Sequence, residues 1–137
     1  MDLLARREHS RQELFNKLRN KGFSTDEIEA AIERLLSDGL LSDERFAESY
    51  VRHRAIAGFG PLRILMELKE RGVDEQLIQQ VVWQAGIDWD ANCYAAWQKK
   101  FNQYAPFGSK EYAAQLRFLA QRGYAQELVH KVLKNHD

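Results

Sequence analysis

The chain has 137 residues, 45% of them hydrophobic, and its 20 basic and 20 acidic residues give a formal net charge of zero. That length suits one compact domain or a few small helical units, and the balanced total by itself points to neither nucleic acid nor a membrane surface. A single cysteine, Cys93, rules out an internal disulfide and fits a reduced, cytoplasmic setting, and neither a leader pattern nor an apolar run near ~18 residues suggests export or membrane insertion.

Taken in order, the chain repeats itself. Aligned on Gly22, Gly72 and Gly123, it carries Leu18, Leu68 and Leu119 four residues earlier and Lys21, Arg71 and Arg122 immediately before. Phe23, Val73 and Tyr124 follow each glycine, and Ile28, Ile78 and Val129 come six residues after it. Self-similarity at about 50 residues is the mark of stacked supersecondary units. Each unit reads as a helix closed by a glycine in the left-handed conformation, an apolar residue past that cap, and another helix. Ser24 and Asp74 are suited to cap the following helices in the first two copies.

A further helix precedes the pair in copies two and three. The first runs from Asp43, capped by Ser42 or Asp43, to about Ala57, and turns Phe46, Ala47, Tyr50 and Val51 inward at helical spacing. Gly58 and Gly60 then permit a sharp turn, and Pro61 opens the next helix, where its missing N–H costs nothing. The other runs from Trp89 to about Tyr104, capped by Asp88 or Asp90, with Trp97 and Phe101 repeating the aromatic pair. In copy one, only Met1 to about Arg7 is left for that leading helix. Strand signals are absent, so the expected fold is all-α: a tandem array of three-helix, helix-turn-helix-like repeats, elongated and curved, divided as 1–39, 40–86 and 87–137.

Chemistry is sparse. His9, His53, His130 and His136 lack metal-ligand spacing, Gly58-Phe59-Gly60 lacks the strand and third glycine of a dinucleotide loop, and no nucleophile pattern appears. Trp83, Trp89 and Trp97 could stack on bases, but their spacing beside Val82 and Phe101 reads as core. The reading is a protein without catalysis, cofactor or metal.

Charge, however, is distributed in blocks. Residues 1–23 hold Arg6, Arg7, Arg11, Lys17, Arg19 and Lys21, whereas 24–44 hold seven acids against Arg34 alone. Basic residues return with Arg45, Arg52, Arg54, Arg63, Lys69 and Arg71, and again with Lys99, Lys100, Lys110, Arg117 and Arg122. In a stacked array equivalent helices line the same face, so a basic strip could form that suits phosphate or a polymeric partner. The pair Glu67 and Arg71, four apart, would contribute ~0.3–0.5 kcal/mol as a surface pair.

The run Asp43-x-Arg45-Phe46-Ala47-x-x-Tyr50-x-x-x-Arg54, followed by Gly58-Phe59-Gly60-Pro61-x-Arg63-Ile64-x-x-Glu67-Leu68-x-x-x-Gly72, resembles the central signature of the RecX family, regulators of the bacterial RecA recombinase. Arg7-x-His9-Ser10-x-x-Glu13-Leu14 and Arg117-Phe118-Leu119-x-x-Arg122-Gly123-Tyr124 extend the likeness to both ends. The resemblance implies a monomeric, non-enzymatic regulator that lies in the groove of the RecA–DNA filament and restrains its ATP hydrolysis, strand exchange and recombination and SOS activities. It also implies weak, non-specific contact with single- or double-stranded DNA. By position it makes Arg45, Arg54 and Arg63 candidates for filament or DNA contact; Arg52, Lys69, Arg71, Lys99 and Lys100 join them on charge. Asp43, Phe46, Gly60, Pro61, Glu67 and Leu68 read as architectural. Two alternatives stand beside this: a helix-turn-helix DNA-binding module, and a helical scaffold for another protein. Against the former, the helix after Gly22 carries Asp26, Glu27, Glu29 and Glu33, which phosphate would repel.

Overall fold

A computed structural model of the protein describes residues 7–134, and every regular element among them is helical. We number the helices α1 (Arg11–Asn20), α2 (Thr25–Ser37), α3 (Asp43–Ile56), α4 (Pro61–Glu70), α5 (Glu75–Trp83), α6 (Trp89–Lys100), α7 (Lys110–Gln121) and α8 (Gln126–Lys134). The expected leading helix of the first repeat, Met1 to about Arg7, lies almost wholly outside the described residues. Helix boundaries follow local chemistry. Ser10 and Ser24 form capping boxes with Glu13 and Glu27, Ser42, Asp74, Asp88 and Ser109 accept from first-turn N–H groups, and Pro61 sits at the first position of α4. The expected helix to Tyr104 stops at Lys100 instead, because Phe101 closes it and Asn102 takes a left-handed φ of 57°.

Three cores form in sequence. Leu14, Leu18, Ile28, Ile32 and Leu41 make the first; Phe46, Val51, Ile64, Leu68, Val73, Ile78 and Val82 the second; Trp97, Tyr112, Leu119, Tyr124, Val129 and Leu133 the third. Each fully buried side chain of this kind contributes roughly 1.5–3 kcal/mol. Trp97 also donates to Gln115 Oε1 at 2.8 Å and stacks on Tyr104 at 4.2 Å, so its polar edge and its ring are both satisfied. Trp83 departs from the core reading: it is 51% exposed at the end of α5 and donates to Gln79.

The repeats join head to tail through one recurring contact, the start of a middle helix laid on the glycine that ends the next one. At the second joint the N–H groups of Gly60 and Leu62, at the start of α4, donate to the carbonyls of Arg122 (2.6 Å) and Gly123 (3.0 Å), at the end of α7. Two sets of unpaired helix-end groups therefore satisfy each other. The approach is so close that a Cβ on Gly60 would stand 2.6 Å from the Gly123 backbone. At the first joint Ser10 Oγ donates to the Arg71 carbonyl at 2.8 Å, Gln12 packs on Gly72, and Asp43 accepts from the Arg11 N–H at 2.7 Å. None of the hydrogen bonds or ion pairs described joins the first repeat to the third; the bonds between repeats run from first to second and from second to third.

Gly60 has φ −93°, which any residue adopts, so Gly60→Ala acts by overpacking alone and is expected to cost about 1–3 kcal/mol in urea unfolding; an unchanged midpoint would contradict the joint. His9, buried at the first joint, lies 3.1 Å from the Arg7 carbonyl and 3.0 Å from Lys17 Nζ. Burial, then the charges of Arg7 and Lys17, hold its pKa below 6.5. The unfolded chain thus binds the proton more readily, and amide protection in α1 is expected to fall as pH drops below about 6.5, an effect that His9→Gln removes.

Candidate functional site

The second repeat is built around one carboxylate. Glu67, on α4, is buried against α3, where Tyr50 and Arg54 lie one turn apart on the facing side. Tyr50 donates its hydroxyl to Glu67 at 2.9 Å, Arg54 donates through two nitrogens at 2.9 and 2.8 Å, and Arg63, one turn earlier on α4, donates at 3.0 Å. Burial pushes this carboxyl upward, but the hydrogen bonds from Arg54, Tyr50 and Arg63 outweigh it and hold the pKa below the usual carboxylate range. Burial and the bond to Glu67 push the Tyr50 hydroxyl up to about 12, so it remains a neutral donor. Arg71 behaves differently from the expected i,i+4 pair: it donates to the Glu67 carbonyl, lies 4.9 Å over the Tyr50 ring, and reaches Glu13 at 3.7 Å.

Phe59, in the loop between α3 and α4, gathers the cations. Arg54, Arg63 and Arg122 have their guanidinium carbons 3.7, 4.7 and 4.5 Å from its ring centroid. Such contacts contribute ~0.5–2 kcal/mol each and hold like charges near one another despite repulsion. Grooves open on both sides of this hub. One, of about 740 Å³ between the first two repeats, is lined by Arg7, His53, Arg54 and Arg71 with Phe46, Tyr50, Glu8 and Glu13. The other, of about 380 Å³ between the second and third, is lined by Lys99, Lys100 and Arg122 over Ile56, Ala96 and Phe118. Because Arg54 lines the first groove and Arg122 the second, and both lie on Phe59, the cations form one strip touching all three repeats.

The structure sorts the residues singled out above. Arg54, Arg63 and Arg71 meet at Glu67, and Lys99 and Lys100 meet in the second groove. Arg45 lies at the margin, paired with Glu8 at 3.1 Å. Arg52 and Lys69 stand apart: Arg52 lines a separate groove with Glu44 and Glu48, and Lys69 is exposed two positions from Glu67, on another side of α4. The sequence counts Arg122 in the basic blocks but not among the contact candidates, and it gives neither His53 nor Phe59 a part in the strip. The available signal for Arg122 was its equivalence to Arg71 before the glycine that recurs in each copy; nothing marked Phe59 as a ring that three arginines share. Among the described residues no group of three histidine, cysteine or acidic side chains is arranged to hold a metal. Burial pushes the Cys93 thiol up to about 12, leaving it protonated.

Family models of the first, second and third three-helix domains of RecX match residues 1–35, 42–82 and 88–133. The chain belongs to the RecX family. Among its relatives, the regulatory protein RecX of Pseudomonas savastanoi pv. phaseolicola is 46% identical over 133 residues, covering 97% of this chain and 86% of that protein. That of Pseudomonas fluorescens strain SBW25 is 44% identical over all 137 residues and 88% of its own length. A crystal structure of RecX from Lactobacillus salivarius superposes with a TM-score of 0.75 at 19% identity, covering 97% of this chain and 88% of that one, and shows the fold. The array of three-helix repeats is thus the RecX architecture. Among the described residues no helix is long and apolar enough to cross a membrane.

Removing the carboxylate at the centre of the second RecX domain should be costly, because Arg54 would be left half-buried without its partner. Glu67→Ala is expected to lose about 2–4 kcal/mol in chemical unfolding, and Tyr50→Phe about 1 kcal/mol. The contribution of Glu67 is present above its unfolded pKa near 4.5 and is lost as pH falls through its lower folded value. Equal stability of Glu67→Ala and the parent at pH 7 would refute this role.

Proposed function

We propose that this RecX-family chain regulates a RecA recombinase–DNA filament without catalysing a reaction: it lies along the filament and restrains its ATP hydrolysis, strand exchange, and the recombination and SOS responses that follow. It acts as a cytoplasmic monomer. The observation that carries this reading is the contiguous cationic strip to which all three repeats contribute, a surface suited to a repeating, phosphate-bearing partner. Arg54 and Arg63 are bound to the Glu67 carboxylate and act mainly by shaping the surface, so contact falls chiefly to Lys99 and Lys100 in the second groove, with Arg71 in the first and Arg45, Arg52 and Lys69 at the periphery. DNA, single- or double-stranded, is a secondary ligand, held through phosphates weakly and without sequence preference, and therefore salt-dependent.

Titration into RecA filaments assembled on single-stranded DNA with ATP tests the proposal. Inhibition of hydrolysis and strand exchange is expected at substoichiometric to equimolar protein, and the double change His53→Glu with Lys99→Glu is expected to raise the required concentration about ten-fold, a change of about 1.4 kcal/mol. Unaltered hydrolysis and strand exchange at stoichiometric excess would overturn it.

A further inference from the structure

The groove at the joint of the second and third repeats differs in chemistry from the others described. Each of the rest includes at least one carboxylate: Glu29, Glu33 and Asp43 in one, Glu8 and Glu13 in another, Glu44 and Glu48 in a third, Asp90 in a fourth. This one has none. Lys99 and Lys100, exposed in the last turn of α6, stand on one wall, and Arg122 stands on the other, reaching the Ala57 carbonyl at a long 3.4 Å. One edge of the groove is aliphatic. Ile56, at the end of α3, is 86% exposed, the most exposed large hydrophobic side chain described, and Ala96 lies among the lining residues opposite.

We propose that this groove is a docking site for an acidic protein segment carrying a large aliphatic anchor flanked by carboxylates. Covering Ile56 removes apolar surface from water, which a solvated ion cannot do, and the anchor is the group that does it. Carboxylates on either side of that anchor meet the two lysines and the fork of Arg122, whose planar geometry suits a bidentate carboxylate. A nucleic acid fits less well. The one aromatic ring in the lining, Phe118, already has Lys100 and Arg122 at 5.6 and 5.0 Å from its centroid and is packed edge-on against Phe101, leaving no free platform on which a base could stack. The volume of about 380 Å³ is at the small end for ligand sites and holds one or two side chains. The groove is the one to which the recombinase reading assigns its main contact, but its occupant is inferred from the chemistry of the lining and is tested without recombinase.

Two fluorescein-labelled peptides serve as probes, Glu-Asp-Glu-Leu-Leu-Glu-Asp-Glu and its twin with serines in place of the leucines, followed by anisotropy against the full chain without recombinase. The leucine peptide is expected to bind about ten-fold more tightly than its twin. Lys99→Glu with Lys100→Glu is expected to weaken it by at least about ten-fold, and Ile56→Asp to bring it down to the level of the twin; all three positions are exposed, and circular dichroism checks that the fold is kept. Equal affinity for the two peptides, or binding indifferent to the lysine changes, would overturn the proposal. So would displacement of the leucine peptide by oligothymidylate whose own binding is lost in the lysine variant, because the groove would then be a nucleic-acid site. Failure of filament inhibition with peptide binding intact would reject the recombinase reading and leave the groove.

Discussion

Glu67 is the constraint on which the central repeat depends. A carboxylate buried between α3 and α4 is tolerable only when its lone pairs are filled, and here Tyr50, Arg54 and Arg63 fill them. In doing so it fixes the rotamers of two long arginines that would otherwise be free in solvent, and those arginines in turn lie against Phe59. One negative charge thereby organises several positive ones. The result is a rigid, net cationic surface rather than a brush of mobile side chains, and the loss of side-chain entropy is borne at folding instead of at binding.

The joints between repeats explain how this local order extends along the chain. A helix N-terminus presents N–H groups and a helix C-terminus carbonyls, so laying the start of α4 on the end of α7 satisfies both and aligns their dipoles favourably. The backbones can approach this closely only because both partners at the contact, Gly60 and Gly123, lack a Cβ. Arg122 immediately precedes Gly123, so the same joint that sets the spacing of the repeats also brings the third repeat's guanidinium onto Phe59. Architecture and surface charge are coupled at one place.

Much of this was legible in the residues. The 50-residue period, the left-handed glycines, the serine and aspartate caps and Pro61 at a helix start are all local signals, and local chemistry decides them. The candidate surface was legible only in part. Charge blocks located Lys99, Lys100 and Arg71, but a block cannot tell a cation that faces solvent from one that is spent on a buried carboxylate, and Arg54 and Arg63 are of the second kind. Arg52 sits two residues from Arg54 and yet lines a groove with Glu44 and Glu48, because two positions on a helix differ by about 200°. Trp83 was misjudged for a related reason: α5 ends there, and the last residue of a short helix has no neighbouring turn or element to cover it. The joints themselves, which pair residues about 60 apart, leave no mark in local pattern at all.

In the proposed function the three repeats present their cationic grooves to the filament together. Photo-crosslinking measures this most directly: a benzophenone placed singly at His53, Lys99, Arg52 or Lys69, with the protein bound to RecA–DNA filaments under ATP. Adducts with recombinase are expected from His53 and Lys99, one in each groove, at yields several-fold above those from Arg52 and Lys69. Adducts arising mainly from Arg52 and Lys69, with the two groove positions silent, would contradict it.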